Sequence, residues 1–354
     1  MPGSNVLVLG ASYGALFGSK LLMADNSVRL VCRAEDVDMF NREGTRVRIP
    51  VRGKETIELD SRQLPGRLTA SSPAEVDPEE FDIAVLAMQE PQYGAPDLRA
   101  LLGRLASAGV PCLSIMNMPP LTYLSRLARV DADGCRSSYT DPEVWDCFEP
   151  DLVSLCSPDP QAYRPSKDRK NLLVVGLPTN FKAAPFASEH HNAVLRSLEA
   201  DIENARYRMG DEDIEVPVKL RVHDSLFVPL AKWAMLIAGN YRCVNPDGSA
   251  RPIKEAVHGD ISATRDVYEW VVDVCVTLGA DRGTLVPFEK YAAAASSLTN
   301  PSSVARAIAA GAPQVERVDR LVQAVAAQHG AQCDVLDEVV RNVDAAMDRN
   351  YAVV

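Results

Sequence analysis

No two of the eight cysteines, at positions 32, 112, 135, 147, 156, 243, 275 and 333, form a C-x-x-C pair. That absence leaves no support for a zinc ribbon or a thioredoxin-type redox site. Several cysteines sit in apolar runs, Cys112 within residues 110–116 and Cys275 within 271–278. They read as small buried hydrophobes of a reducing compartment. A basic excess is also lacking: 37 Lys and Arg stand against 48 Asp and Glu, a net charge of −11. Such a chain has no basic stripe for a phosphate backbone, which argues against a nucleic-acid partner. No apolar run reaches membrane length. The longest, residues 227–239, is interrupted by Lys232, so neither a membrane span nor a membrane partner is expected. The N-terminal residues carry no basic stretch followed by a long apolar segment, so no signal peptide is expected and a cytoplasmic location follows. Of the five histidines only His190 and His191 are adjacent, and neighbours on a helix point about 100° apart. No metal site is expected. Internal repeats and low-complexity tracts are absent as well.

What is present is an ordinary globular composition over 354 residues, 47% hydrophobic and 24% charged, enough for two domains or one large one. The first half alternates buried apolar runs with helical spacing: strands at 5–9, 28–32, 83–88 and 110–116, helices at 13–24 and 98–106. Residues 47–49 and 56–59 read as a hairpin about Arg52-Gly53-Lys54. This alternation predicts a parallel, doubly wound sheet. Between 135 and 185 Pro, Asp and Ser punctuate the chain. Strands are expected at 152–156 and 172–177, with a long loop at 157–171. Beyond about residue 221 the pattern turns helical: 225–240, 261–278, 287–295, 301–310, 315–328 and 334–347. Helix 261–278 places Val267, Trp270, Val271, Val274, Cys275 and Leu278 on one face. The predicted fold class is α/β, an N-terminal Rossmann-type doubly wound parallel sheet followed by an all-helical C-terminal domain. The predicted domains are 1–221, with an insertion near 135–185, and 222–354.

Two segments carry chemistry. The first is Gly10-Ala-Ser-Tyr-Gly14-Ala-Leu-Phe-Gly18, which follows the first strand and opens the first helix. A dinucleotide-binding turn needs that context. Gly10 permits the tight turn, and the small Ser12 lets the backbone approach a pyrophosphate. Gly14 and Gly18 allow helix and sheet to pack closely, and the helix N-terminus attracts the phosphates. The spacing departs from G-x-G-x-x-G, because Ser12 replaces the second Gly and the third arrives one residue early. Arg33 ends the second strand, where an NAD enzyme usually has an acidic residue. It favours NADPH, since Arg can hold a 2′-phosphate, whereas Glu35 would favour NADH. The second segment is the apolar run holding Lys232. Burial disfavours the ammonium form, so a lowered pKa and a role as proton donor are expected. Asn240, eight residues on, is about 80° round an α-helix from Lys232, and both side chains can line one cleft. Asn300-Pro301-Ser302-Ser303 reads as a helix start with Asn as cap and Pro at the first position, suited to a substrate carboxylate.

These segments, taken in order, resemble the ketopantoate reductase family (the 2-dehydropantoate 2-reductases). The Gly10–Gly18 turn and Arg33 are similar to its cofactor motifs. Ile115-Met-Asn117 resembles its strand-end Asn beside the nicotinamide. Residues 231–236, with Asn240, resemble its catalytic helix. Pro301-Ser302-Ser303-Val304 and Gln314-Val-Glu316-Arg-Val-Asp319 resemble two further segments. The resemblance implies an NADPH-dependent reductase of a small carbonyl substrate, a 2-oxo acid, with Lys232 as general acid. It assigns the cofactor to Gly10, Ser12, Tyr13, Gly14, Arg33, Met88, Gln89 and Asn117. It assigns the substrate to Asn117, Asn240, Ser302, Ser303 and Glu316, with Gln314 in the place of Glu316 if no gap is allowed. It also implies a homodimer. Departures are Leu236 for the family's first Asn on the catalytic helix and Met88-Gln89-Glu90 where a Lys is usual. Asn240-Tyr-Arg-Cys replaces the usual Asn-Pro-Leu-Thr, and the 135–185 region is longer than the family needs. A pocket built around different polar contacts takes a different substrate. Two other readings are an opine-type dehydrogenase using His258 and Asp260, and a non-catalytic NADPH-binding sensor or interaction protein.

Overall fold

Short β-branched runs dictate the first layer. Asn5–Leu9 is buried at every residue but the first, and it lies inside an eight-stranded sheet between Ser27–Val31 and Ile83–Leu86. The computed structural model describes residues 3–166 and 168–352. By strand the sheet runs Leu220–Val222, Phe181–Ala183, Val153–Ser157, Cys112–Ile115, Ile83–Leu86, Asn5–Leu9, Ser27–Val31 and Leu68–Ser71. All neighbours are parallel except Val153–Ser157 with Phe181–Ala183. The chain proceeds outward from Asn5–Leu9 in one direction and then returns to its other side. The carboxyl end of that strand is therefore the switch point where α/β sheets bind ligands. Helix Tyr13–Met23 packs Leu16, Phe17 and Leu21 onto this core, with Phe17 edge-on to Phe181 at 5.4 Å.

A second sheet of four strands is ordered Ile57–Asp60, Arg46–Ile49, Leu172–Leu177, Gln161–Tyr163. The predicted hairpin is its first half, turning through Gly53 at φ +74°. The segment 157–171 is not loop throughout: Gln161–Tyr163 pairs antiparallel with Leu172–Leu177. Three residues bounded by prolines carry no readable alternation, and the strand exists only through its partner. Residue 167 of that segment lies outside the described residues.

Packing divides the chain into two units. One holds the described residues up to 88, 92–123 and 143–224; the other holds 89–91, 124–142 and those from 225 onward. The second unit is helical from 225 on. Ile261–Leu278 starts at Asp260, whose carboxylate accepts the Ala263 N–H at 3.0 Å, and ends at Gly279 with φ +119°. Its buried face holds Val267, Tyr268, Val271, Val274, Cys275 and Leu278, while Trp270 is half-buried. Helices Ile253–His258, Phe288–Ala295, Ser303–Ala309, Val318–Ala327 and Asp334–Tyr351 belong to the same unit. No helix among the described residues is long and apolar enough to cross a membrane.

The expected single helix over 225–240 is instead a composite. A 3₁₀ turn (Pro229–Ala231) leads into α-helix at Lys232–Met235, a π-turn at Leu236–Asn240 and a second 3₁₀ turn (Tyr241–Cys243). Tyr291 explains the change. Its hydroxyl donates to the Met235 carbonyl at 3.2 Å and occupies the space beside Gly239, where a Cβ would lie 1.8 Å from that oxygen. A side chain wedged against the i→i−4 ladder widens the turn.

Candidate active site

The first unit supplies a nucleotide cradle. Gly10 follows the switch-point strand with φ +103°, a conformation open to glycine. A Cβ there would meet Met88 Cγ at 2.5 Å and the Ala87 carbonyl oxygen at 2.8 Å. At Gly14 a Cβ would strike Val8 Cγ1 at 2.5 Å, so this residue sets the close approach of helix to strand. Gly18 differs from expectation: its Cβ would lie 3.5 Å from Val28, an ordinary contact, and packing does not require glycine there. Ser12 sits at the helix N-cap without using its hydroxyl as a cap, and both it and Tyr13 are half-buried. Helix Tyr13–Met23 begins directly after this turn, and a helix N-terminus so placed is suited to a pyrophosphate. Met88 is half-buried, and its N–H donates to the Tyr93 hydroxyl at 3.1 Å. Asn117 is half-buried just past strand Cys112–Ile115. Arg33 is exposed at the start of helix Ala34–Glu43 and pairs with Glu35 at 3.8 Å. These residues fit a dinucleotide: a turn at Gly10 with φ +103°, a helix packed close to its strand at Gly14, that helix's N-terminus, and a guanidinium just past the neighbouring strand.

The second unit supplies the acid–base and polar groups. Across residues 228–241 every side chain is buried except Lys232, Met235 and Asn240. The π-turn inserts one extra residue per turn, which swings Asn240 back from about 80° to roughly 20° from Lys232 around the axis. The composite helix thus aligns the two groups better than a regular one would. Ser302 is 3% exposed, and its hydroxyl donates to the Asn240 carbonyl at 2.6 Å while accepting the Ala305 N–H at 3.2 Å. Ser302 is therefore the helix cap, in place of the expected Asn300, and helix Ser303–Ala309 begins after it. Its hydroxyl is spent on capping and on fixing Asn240. Ser303 is exposed.

Glu316 is 6% exposed, and its Oε1 accepts the Glu90 N–H at 3.3 Å. Its carbonyl accepts the Tyr241 hydroxyl, which in turn accepts the Val318 N–H at 3.0 Å. Gln314 points elsewhere, lining a cavity of about 300 Å³ with Ser138, Tyr139, Arg317, Asp344 and Met347. Gln89 is exposed beside Glu90. Burial pushes the Glu90 carboxyl above the usual carboxylate range, against the lowering effect of the Thr140 N–H and hydroxyl at 3.0 and 3.1 Å. Three residues here escaped the sequence reading. Tyr241 and Glu90 anchor Glu316, and Tyr291 shapes the π-turn. No local signal marked them, because each acts through a partner 56 to 226 residues away.

His258 and Asp260 do not form a relay. The His258 Nε2 meets the Ala292 carbonyl oxygen at 3.0 Å, and Asp260 caps its helix. Among the described residues no group of three or more His, Cys, Asp and Glu is placed to hold a metal ion.

The two units together define a class of fold: a Rossmann-type sheet domain followed by an all-helical domain. More narrowly, this is the fold of the ketopantoate reductases. The chain is similar over 98% of its length to 2-dehydropantoate 2-reductase from Methylococcus capsulatus (15% identity, 97% of that chain, TM-score 0.66). A PanE/ApbA family ketopantoate reductase from Ralstonia eutropha JMP134 is similar over the same share (17% identity, 99% of that chain, TM-score 0.64). D-mandelate dehydrogenase, solved with NADH and anilino(oxo)acetate, is equally alike (14% identity, 98% and 99% coverage, TM-score 0.65). No family model matches the sequence. No curated protein matches it either.

Proposed function

We propose that the chain is an NADPH-dependent reductase that delivers hydride to the carbonyl of a small 2-oxo acid, with Lys232 as general acid. The observation that carries this reading is the burial pattern of residues 228–241, in which only Lys232, Met235 and Asn240 are half-buried and the rest are fully buried. The bound cofactor would supply the hydride. As the carbonyl carbon accepts it, negative charge develops on the oxygen. A lysine ammonium aimed at that oxygen stabilises the charge and donates the proton. The Asn240 side chain orients the substrate by hydrogen bonding, and Ser302 holds Asn240 in place through its carbonyl. Ser303, at the start of helix Ser303–Ala309, is a further substrate contact in this reading. Glu316 acts at one remove, by fixing the backbone at Glu90.

The substrate differs from ketopantoate. Leu236, 3% exposed, leaves no polar group where the family has its first Asn. A site that lacks one hydrogen-bonding group selects against the ligand that needs it. The solved D-mandelate dehydrogenase, whose bound anilino(oxo)acetate is an aryl-substituted 2-oxo acid derivative, supports a bulkier, less polar side chain. The test is NADPH oxidation at 340 nm with aliphatic and aryl 2-oxo acids and ketopantoate. Turnover of an apolar 2-oxo acid above ketopantoate is the expected result. Preference for ketopantoate would overturn the substrate assignment, and tight NADPH binding without any turnover would overturn the reductase.

A further inference from the structure

The cavity of about 300 Å³ lies wholly within the second unit and shares no residue with the Lys232, Asn240 and Ser302 cluster. Its walls come from residues 137–140, residues 313–320 and one side of helix Asp334–Tyr351. Arg317 is its buried cation, with a side chain 6% exposed. The Arg317 Nε and Nη2 donate to the two Asp319 oxygens at 2.9 and 2.8 Å, and its Nη1 stands 2.5 Å from Asp344 Oδ1. Arg320 brings Nη2 to 2.8 Å from the same Asp344 oxygen. Two guanidiniums are therefore balanced by two carboxylates, and removing either carboxylate would leave a costly unpaired charge.

Three groups on these walls are left over from that network. Ser138 is 3% exposed, and its hydroxyl has no hydrogen-bond partner among the described residues. Arg320 spends one nitrogen on Asp344 and keeps the N–H groups of its other two. Asp348 follows Asp344 by four residues, which puts both carboxylates on one helix face. Among the described residues no Lys, Arg or His nitrogen lies within ion-pair distance of Asp348. Met347 and Val315 add apolar wall. A ligand with positive charge alone would leave the Arg320 N–H groups unanswered, and one with negative charge alone would stand against Asp348. A ligand carrying both charges a few bonds apart answers each with charge-assisted hydrogen bonds. We propose that this cavity binds a zwitterionic amino acid, with its ammonium on Asp348 and its carboxylate on Arg320 and the Ser138 hydroxyl. A short apolar side chain rests against Met347 and Val315. The site stands apart from the proposed hydride transfer and does not depend on it.

The experiment is calorimetric titration of the full-length protein with L-methionine, N-acetyl-L-methionine and L-methioninamide. The three share a side chain, but the second lacks the ammonium and the third the carboxylate. L-methionine is expected to bind, and each analogue to bind roughly tenfold to a hundredfold more weakly, the worth of a hydrogen bond to a charged group. Asp348 is exposed, so Asp348→Asn should keep the melting temperature of the free protein while weakening L-methionine by the same factor. Ser138→Ala should weaken L-methionine and leave L-methioninamide unchanged, a split that a purely structural serine would not produce. Asn240→Ala, in the other cluster, should leave L-methionine affinity as it is. Equal binding of the three compounds overturns the inference, as does L-methionine affinity untouched by Asp348→Asn. Loss of binding in Asn240→Ala alone would place the ligand at the Lys232 cluster and overturn it too. No binding of L-methionine or L-alanine at millimolar concentration overturns it outright.

Discussion

Lys20 lies on the helix that follows the glycine turn, 1% exposed, with Nζ donating to the Val216 and Pro217 carbonyls at 2.8 and 3.2 Å. Burial, aided by the neighbouring Lys219 charge, lowers its pKa from 10.5 to about 7. Between those values the unfolded chain carries a proton that the folded chain has released. Stability contributed by this group therefore rises with pH across that window and is flat below it. Urea denaturation at several pH values should show the midpoint climbing through the window, and Lys20→Met should flatten the climb. Lys232 calls for a different measurement. Lys232→Ala should lower kcat by about 10²–10⁴-fold, the range for a lost general acid, with NADPH affinity intact by fluorescence titration. Lys232→Arg keeps the charge but cannot release a proton near neutrality, so turnover should stay low. Equal turnover in all three proteins would exclude Lys232 from the chemistry.

At the scale of the element, the composite helix 229–243 is the feature on which the site depends. Gly239→Ala places a methyl group against the Tyr291 hydroxyl, an overpacking that should cost about 1–3 kcal/mol. Adding Tyr291→Phe removes the closest atom and should restore part of the melting temperature. Independent, additive losses in the two variants would show that Tyr291 does not shape the π-turn. Ser302→Ala removes a helix cap and the tie to Asn240, with an expected loss of about 1 kcal/mol and a raised KM. A stability loss with KM unchanged would leave Ser302 as a cap alone.

The whole molecule assembles its second unit from discontinuous chain. Residues 89–91 and 124–142 join the helices that begin at 225, and helix Val318–Ala327 packs on the turn at Asp133–Ser138. A fragment of residues 225–354 alone would lack both pieces and leave Glu316 without the Glu90 N–H. It should show helical circular dichroism but non-cooperative melting and dye binding typical of loosened packing. A sharp, cooperative transition would mean that the helices from 225 on suffice.

Local signals determined what the sequence alone could tell. The Gly10–Gly18 turn was legible because strand, glycine and helix are neighbours in the chain, and φ +103° at Gly10 is a backbone demand that a residue type announces. Lys232 was legible as a charge inside an apolar run, and helix Ile261–Leu278 through its period, while its Asp260 cap emerged only in the structure. Tertiary structure decided the rest, wherever partners lie far apart in sequence. Tyr291 reaches Met235 across 56 residues to widen a turn that propensity alone would have kept regular. Ser302 caps because its hydroxyl meets both Ala305 and Asn240, a choice that Asn300 would win on residue type. Gln161–Tyr163 is a strand only because Leu172–Leu177 lends it a ladder. Residue type sets which groups are available, while long-range packing sets which of them meet.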